Sequence, residues 1–89
     1  MSEPPAPLLE FPCSYPLKAI GKADDDFEEL VMAVVRRHVA PRAIEQVLTR
    51  PSAAGTYLAV TVTFTASSQE EIDLVYLDLS AHQRVLMVL

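Results

Sequence analysis

Cysteine and glycine are scarce in this chain of 89 residues, and each scarcity excludes a class of site. The one cysteine, Cys13, has no second thiol for an intrachain disulfide, which favours a reducing compartment. Two glycines, Gly21 and Gly55, are too few for a glycine-rich phosphate loop. The sequence also lacks the Cys-x-x-Cys, His-x-x-x-His and Gly-x-Ser-x-Gly spacings. We therefore expect no catalytic residues, no metal and no cofactor.

Positive charge and long apolar runs are also in short supply. Seven Lys and Arg residues face 12 Asp and Glu residues, for a net charge of −5. Nucleic acids and anionic lipids require a basic surface, so neither is an expected partner. No apolar run approaches the ~20 residues of a membrane span. Pro4, Pro5 and Pro7 interrupt the N-terminus, which does not resemble a signal peptide. These features predict a soluble cytoplasmic protein.

The strongest positive signal is a run of strict alternation in residues 57–65. Leu58, Val60, Val62 and Phe64 alternate with small or β-branched polar residues, which is typical of a strand with one buried face. Its other side carries no charge and no acid, base or nucleophile. We call that side the threonine strip, and it is our candidate interaction face. Its members are Ala59, Thr61, Thr63 and Thr65.

The other segments predict a single domain over residues 15–89 behind a proline-rich tail of residues 1–14. Strands are expected at 15–22, 44–50 and 84–89, with a turn at 51–55. The first helix follows three aspartates, with Asp25 and Glu28 at capping-box spacing, and Pro41 ends it near residues 38–39. The second helix starts with Ser67 and Glu70 or with Ser68 and Glu71. Its predicted buried stripe is Ile72, Val75, Tyr76 and Leu79.

The resulting order, βαββαβ, is that of a ferredoxin-like α+β fold. Right-handed crossovers place strands one and three in the centre of a four-stranded antiparallel sheet, with both helices on one face. The threonine strip then lies on the other face. The predicted core consists of Leu17 or its strand neighbours, Phe27, Leu30, Val31, Val34, Leu58, Val60, Val62, Phe64, Ile72, Val75, Tyr76 and Leu79.

The chemically versatile side chains have structural interpretations. His38 and His82 each follow a predicted helix, where a cationic imidazole complements the helix terminus. The cluster of acidic residues around Asp25 caps the first helix and lacks the spacing of a calcium loop. Arg36 and Arg37 belong to a solvated helix face, with Arg37 placed to pair with glutamates. Cys13, Tyr57 and Tyr76 are expected to be partly buried.

Three classes of binding protein share this topology. RNA-recognition domains need aromatic residues on the open side of strand three, where this chain has alanine and threonine. Sensors of the ACT type bind an amino acid near the first strand-to-helix loop; Gly21 suits such a loop, but the aspartates after it would repel a carboxylate. A non-catalytic regulatory or protein-interaction module is the remaining class, with the amino-acid sensor as the alternative.

Several segments resemble the YbeD-like family of small bacterial proteins of unknown function. They are Leu8-Leu9-Glu10-Phe11-Pro12, residues 15–22, Val34-Val35-Arg36-Arg37-His38, residues 52–66 and the end of the chain from Val85. The resemblance covers roughly residues 8–89. It implies a cytoplasmic ferredoxin-like protein similar to ACT domains, and a regulatory role linked to lipoate metabolism. It carries no agreed functional residues.

The threonine strip has three candidate occupants: a second copy of the chain, a partner protein, or the chain's own segment from Leu8 to Phe11. A flat uncharged surface suits docking because little desolvation opposes it. The alternative is that threonine is simply a good former of exposed strands.

Overall fold

A computed structural model describes residues 10–89, and the first nine residues of the predicted tail lie outside that range. A 3-10 turn, Pro41–Ala43, precedes the second strand. The strands pair in the order β2-β3-β1-β4, all antiparallel, with β3 and β1 in the centre. The ferredoxin-like prediction is therefore confirmed. The elements are β1 (Cys13–Lys22), α1 (Phe27–Arg36), β2 (Ile44–Pro51), β3 (Tyr57–Ala66), α2 (Gln69–Ala81) and β4 (Val85–Val88).

Alternation along β3 determines which side of the sheet the helices cover. Val60, Val62 and Phe64 are buried beneath α1 and α2, as the pattern predicts. Their partners across β1 include Leu17 and Ala19, which are also buried. We call the opposite side of the sheet, which bears the threonine strip, the open face. The core is Leu17, Ala19, Phe27, Val31, Met32, Val34, Val35, Val39, Val60, Val62, Phe64, Ala66, Ile72, Val75, Leu79, Val85 and Val88.

The prediction that Tyr76 belongs to the core is wrong. Tyr76 is exposed, because Ile72, Val75 and Leu79 alone fill the contact of α2 with the sheet. Leu30 and Leu58 are half-buried and pack against the rim of the core. Tyr57, predicted to be partly buried, is exposed at the start of β3.

The two helix starts differ in how closely they follow the predicted caps. Ser68 caps α2 by accepting a hydrogen bond from the Glu71 backbone N–H at 3.1 Å. The Glu71 carboxylate reaches back to the Ser67 N–H at 2.7 Å. At α1, Asp26 is the N-cap residue but makes no side-chain cap, and the predicted capping box of Asp25 and Glu28 does not form. Glu28 accepts a hydrogen bond from Thr49 on β2 instead.

The ends of several elements differ from prediction by a few residues. β1 begins at Cys13, two residues early, and this places Cys13 beside Tyr15 on the side packed on the core. α1 ends at Arg36, before the predicted stop, because the next backbone N–H groups bond three residues back in a tightened last turn. The predicted turn between β2 and β3 is present, with Gly55 at φ 74, a conformation that favours glycine.

A charge at Val62 should unfold the domain, whereas the same charge one residue earlier should not. Val62 is fully buried at the centre of β3, so Val62→Asp would place an unpaired carboxylate in the core. We expect that variant to lack a cooperative urea transition at 25 °C. Thr61→Asp, on the open face of the same strand, should retain its transition within about 1 kcal/mol. A folded Val62→Asp variant would contradict the assigned register.

Candidate interaction face

The threonine strip runs along the middle of the open face, flanked by β1 and β2. Thr61 lies between Lys18 on β1 and Leu48 on β2. Ala59, one step along, lies between Ile20 and Arg50. The first three strip residues are half-buried by these neighbours, and Thr65 is exposed. Among residues 10–89, no element packs over this side of the sheet.

One end of the strip is bound by a carboxylate that the sequence did not reveal. Glu45 sits at a register shift in β2, which turns its side chain across the open face. Its two oxygens accept hydrogen bonds from Thr65 Oγ1 at 2.6 Å and from Ser14 Oγ at 2.7 Å. The hydrogen bond from Thr65, and after it the one from Ser14, lowers the pKa of the Glu45 carboxyl below its usual value. The four strip residues are uncharged as predicted, but their surroundings are not.

The other end of the strip is basic and has an apolar hollow. Lys18, opposite Thr61, and Arg50, opposite Ala59, border the strip on its two sides, and neither forms an ion pair with a carboxylate within residues 10–89. The hollow measures about 260 Å³ and is lined mainly by apolar atoms of Ile20, Ala59 and Tyr57, with Arg50 also contributing. An apolar hollow lined partly by Arg50, with Lys18 two residues before Ile20 on β1, suits a ligand that is both acidic and apolar.

The charge of the chain is separated between its two layers. Five acidic residues surround the start of α1 and four lie on α2, which accounts for nine of the chain's 12. The open face carries Lys18, Lys22 and Arg50 against one acidic residue, Glu45. A chain of net charge −5 thus presents a sheet face of net positive charge. This separation could not be read from the composition, because it depends on which strand residues point outward.

The chain's own N-terminal segment does not cover the strip within the described residues. Phe11 continues the core-facing side of β1 and packs against the core on the helix side. Glu10 is exposed, and Leu8 and Leu9 lie outside the described residues.

Two aspartates of the acidic cluster before α1 contact Arg84, which directly precedes β4. The Arg84 guanidinium donates to both Asp26 oxygens, at 2.7 and 3.1 Å, and to Asp24 at 3.2 Å. The hydrogen bond from Arg84 holds the pKa of Asp26 below its usual value. Below this contact, Gly21 leaves no room for a side chain, since an added Cβ would lie 2.3 Å from the Phe27 ring. The side chain of the N-cap residue Asp26 is thus engaged with Arg84 and makes no cap hydrogen bond to the first turn of α1.

The histidines do not come together. His38 donates from Nε2 to Asp78 on α2 at 2.9 Å, and Arg37 reaches the same carboxylate at 3.3 Å. Arg37 therefore pairs with an aspartate of the other helix and not with a glutamate. His82 accepts from the Arg84 backbone N–H through Nδ1. Residues 10–89 contain no group of three side chains with metal-binding geometry and no helix long and apolar enough to cross a bilayer.

Comparison with known proteins identifies the family. A family model described as "Protein of unknown function (DUF493)" matches residues 6–89. A UPF0250 protein of Chromobacterium violaceum is 43% identical over 89 residues, covering both chains completely. A UPF0250 protein of Hahella chejuensis is 43% identical over 88 residues, covering 99% of this chain and 97% of its own. This chain belongs to the DUF493/UPF0250 family.

Family membership confirms the YbeD-like resemblance, and the function of the DUF493 family is unknown. The solution structure of the H. pylori protein HP0495 is similar in fold, with a TM-score of 0.72 and 14% sequence identity. The similarity covers 100% of this chain and 98% of the HP0495 chain. At this identity the similarity supports the ferredoxin-like fold alone.

Replacing Asp78 by asparagine should weaken the contact between the helices in a pH-dependent way. The hydrogen bond from His38, followed by that from Arg37, lowers the folded-state pKa of Asp78. Its stabilisation is therefore present above the ordinary carboxyl pKa and is lost as pH falls through the lowered value. We expect Asp78→Asn to reduce the free energy of unfolding by about 1 kcal/mol at pH 7, with the deficit shrinking under acid.

Urea unfolding at a series of pH values measures this effect. Asp73→Asn is the matched control, because Asp73 is an exposed aspartate on the same helix whose side chain accepts a hydrogen bond from Gln69 and, among residues 10–89, forms no ion pair. A deficit for Asp78→Asn that does not change with pH would contradict the role assigned to its charge.

Proposed function

We propose that this domain is a non-catalytic interaction module that binds an acidic, apolar segment of a partner protein on its open face. The observation that carries the proposal is the uncovered centre of the sheet: a threonine strip with Lys18 beside Thr61 that ends in an apolar hollow lined in part by Arg50. Solvent-exposed protein surfaces normally carry charged side chains of both signs, interspersed with the uncharged ones. Here the charge is placed at the borders of the strip.

The chemistry of the partner follows from that placement. An apolar side chain of the partner would fill the hollow beside Ile20 and Tyr57, and nearby carboxylates would meet Lys18 and Arg50. The strip itself adds little desolvation cost, since Thr61 and Thr63 carry no charge. The acidic helical layer would repel the same ligand, so binding is directed to one side of the domain.

The arrangement of the described side chains does not favour catalysis. Asp26 is held by Arg84, Asp78 by His38, and Glu45 by two hydroxyl groups. Each carboxylate with a lowered pKa is a weaker base than usual, which is the opposite of what a general base requires. Cys13 is half-buried, and no described cation is bonded to it.

The loop after β1 is a poor amino-acid site of the ACT type. Phe27 fills the space above Gly21, and Arg84, which reaches this loop, is already bound to Asp24 and Asp26. A ligand carboxylate would have to displace these aspartates. This geometry favours the interaction module over the amino-acid sensor.

A titration with two synthetic peptides tests the proposal. The first carries leucine and phenylalanine flanked by aspartate and glutamate, and the second has lysine in place of each acidic residue. We expect the acidic peptide to shift the amide resonances of Lys18, Ile20, Ala59 and Thr61, with affinity that falls as salt is added. Equal binding of both peptides, no binding of either, or shifts confined to the helices would contradict the proposal.

Charge-reversal variants separate the open face from the rest of the surface. Lys18→Glu with Arg50→Glu should weaken the acidic peptide by about tenfold or more, equivalent to about 1.4 kcal/mol. Arg36→Glu with Arg42→Glu is the matched control, because both residues are exposed and belong to α1 and the 3-10 turn, not to a strand of the sheet. Equal weakening by the two double variants would indicate that only net charge matters.

The link to lipoate metabolism and the amino-acid sensor predict a different response. In either case a small molecule should raise the thermal unfolding midpoint of the purified chain. At 100 times its dissociation constant, a ligand stabilises by about 2.7 kcal/mol, a shift of several degrees for a domain of this size. A thermal-shift screen of amino acids, lipoate and octanoate checks this. No shift with any of them would leave these two functions without support.

A further inference from the structure

Exposed apolar side chains are concentrated on one flank of the molecule. Of the eight large hydrophobic residues exposed within residues 10–89, six lie on α2 and on the strand and chain end that follow it. We call this surface the α2/β4 flank. It consists of Leu74, Tyr76, Leu77, Leu86, Met87 and Leu89, with exposures of 45%, 45%, 62%, 59%, 53% and 62%. Met87 and Leu89 pair with Ile20 and Lys18, so their side chains lie on the open-face side of β4, and the α2 residues lie on its helical side. Apolar patches of this kind on small domains mark contact surfaces.

The two edges of the sheet are protected very differently. The β2 edge carries Glu45 at a register shift, Arg50, and a final proline, Pro51, all of which discourage pairing with another strand. The β4 edge has no charge and no proline from Val85 to the end of the described chain. Its one irregularity lies at its start, opposite Gly21, and leaves the following residues in regular pairing with β1.

Backbone groups on β4 are oriented for a further strand. Leu89 and Lys18 exchange two hydrogen bonds, at 2.8 and 3.1 Å, across the ladder to β1. In an antiparallel pair the next residue along has its N–H and C=O turned to the other side. Val88 therefore directs its backbone groups away from β1, at the outer edge of the sheet. A groove of about 260 Å³ separates this edge from Tyr76 and Ser80 of α2.

We infer that the α2/β4 flank is the dimer interface of this protein, in which β4 pairs antiparallel with β4 of a second copy. The two four-stranded sheets would then form one continuous sheet. The exposed side of α2 in each copy would lie against its counterpart, with Tyr76 and Leu77 in the contact. Leu86, which lines the groove beside Tyr76, would become covered in the same step, and Met87 and Leu89 would stay on the open-face side of the continuous sheet.

The absence of charge on β4 points to a second copy as the occupant. A two-fold interface brings the same surface of each copy together, so a charge near the axis is opposed by its own copy. No acidic or basic residue occurs from Val85 onward, and Asp78 on α2 is held toward α1 by His38. Two exposed acidic residues of α2, Glu70 and Asp73, precede Tyr76 and Leu77, so it is the β4 edge itself that can meet its own copy without placing like charges in contact. A charged partner would find no complement there.

This dimer does not depend on the proposed function. Strand pairing at the β4 edge extends the sheet in its own plane. The open face of each copy, with its threonine strip, therefore stays uncovered. The dimer would present two such strips side by side. Loss of dimerisation and loss of peptide binding are therefore separate outcomes.

Sedimentation velocity of the full chain over a range of concentrations tests the inference. We expect the wild-type protein to reach twice the monomer mass of 9.8 kDa. Leu86→Lys on β4 and Leu77→Lys on α2 should each sediment as monomers while keeping the wild-type circular dichroism. Leu48→Lys, an exposed leucine on the other edge strand, is the matched control and should remain dimeric.

Hydrogen exchange locates the interface independently of any substitution. In the dimer, the Val88 amide should exchange at least about tenfold more slowly than in the Leu77→Lys variant, because it becomes bonded to the second copy. A wild-type protein that stays monomeric at millimolar concentration would overturn the inference. So would a dimer that only Leu48→Lys dissociates, or one in which Val88 exchanges as fast as in the monomer.

Discussion

The rest of the structure depends on the alternating burial of β3. This strand is bonded on both sides, to β1 and to β2, and every second side chain enters the core. Each such valine or phenylalanine contributes about 1.5–3 kcal/mol when fully buried. Because the side-chain period is two, a slip of one residue would place Thr61 and Thr63 in the core and expose Val60 and Val62. The phase of one strand thus fixes both the core and the open face.

With β3 in this register, a few charged groups join the elements that surround the sheet. Arg84 ties the start of β4 to the start of α1 through Asp26. Asp78 ties the two helices together through His38 and Arg37. Both contacts use acidic residues on the helical side, which leaves the open face with net positive charge in a negatively charged chain. The distribution of charge, more than its total, gives the domain two chemically distinct sides.

The sequence predicts the order of elements, the antiparallel sheet and most of the core, because periodicity reports burial directly. It misplaces Tyr76, since α2 has apolar residues on both of its sides and periodicity alone does not say which side meets the sheet. It also misses the hydrogen bonds of Glu45 and the contact of Arg84 with Asp26. Those two contacts join residues 20 and 58 positions apart and depend on strand register, which no local pattern encodes. The threonine strip is visible in the sequence, while the cations that border it become apparent only when the strands are aligned.

The central claim is that one side of β3 holds the domain together while the other side is available for binding. The double variant Thr61→Lys, Thr63→Glu tests it most directly, with unfolding by urea and binding of the acidic peptide measured on the same sample. We predict a free energy of unfolding within about 1 kcal/mol of wild type, because both half-buried side chains point away from the core, together with loss of peptide binding, because the larger hydrated side chains obstruct the strip. Unchanged binding, or a domain destabilised by several kcal/mol, would contradict the account.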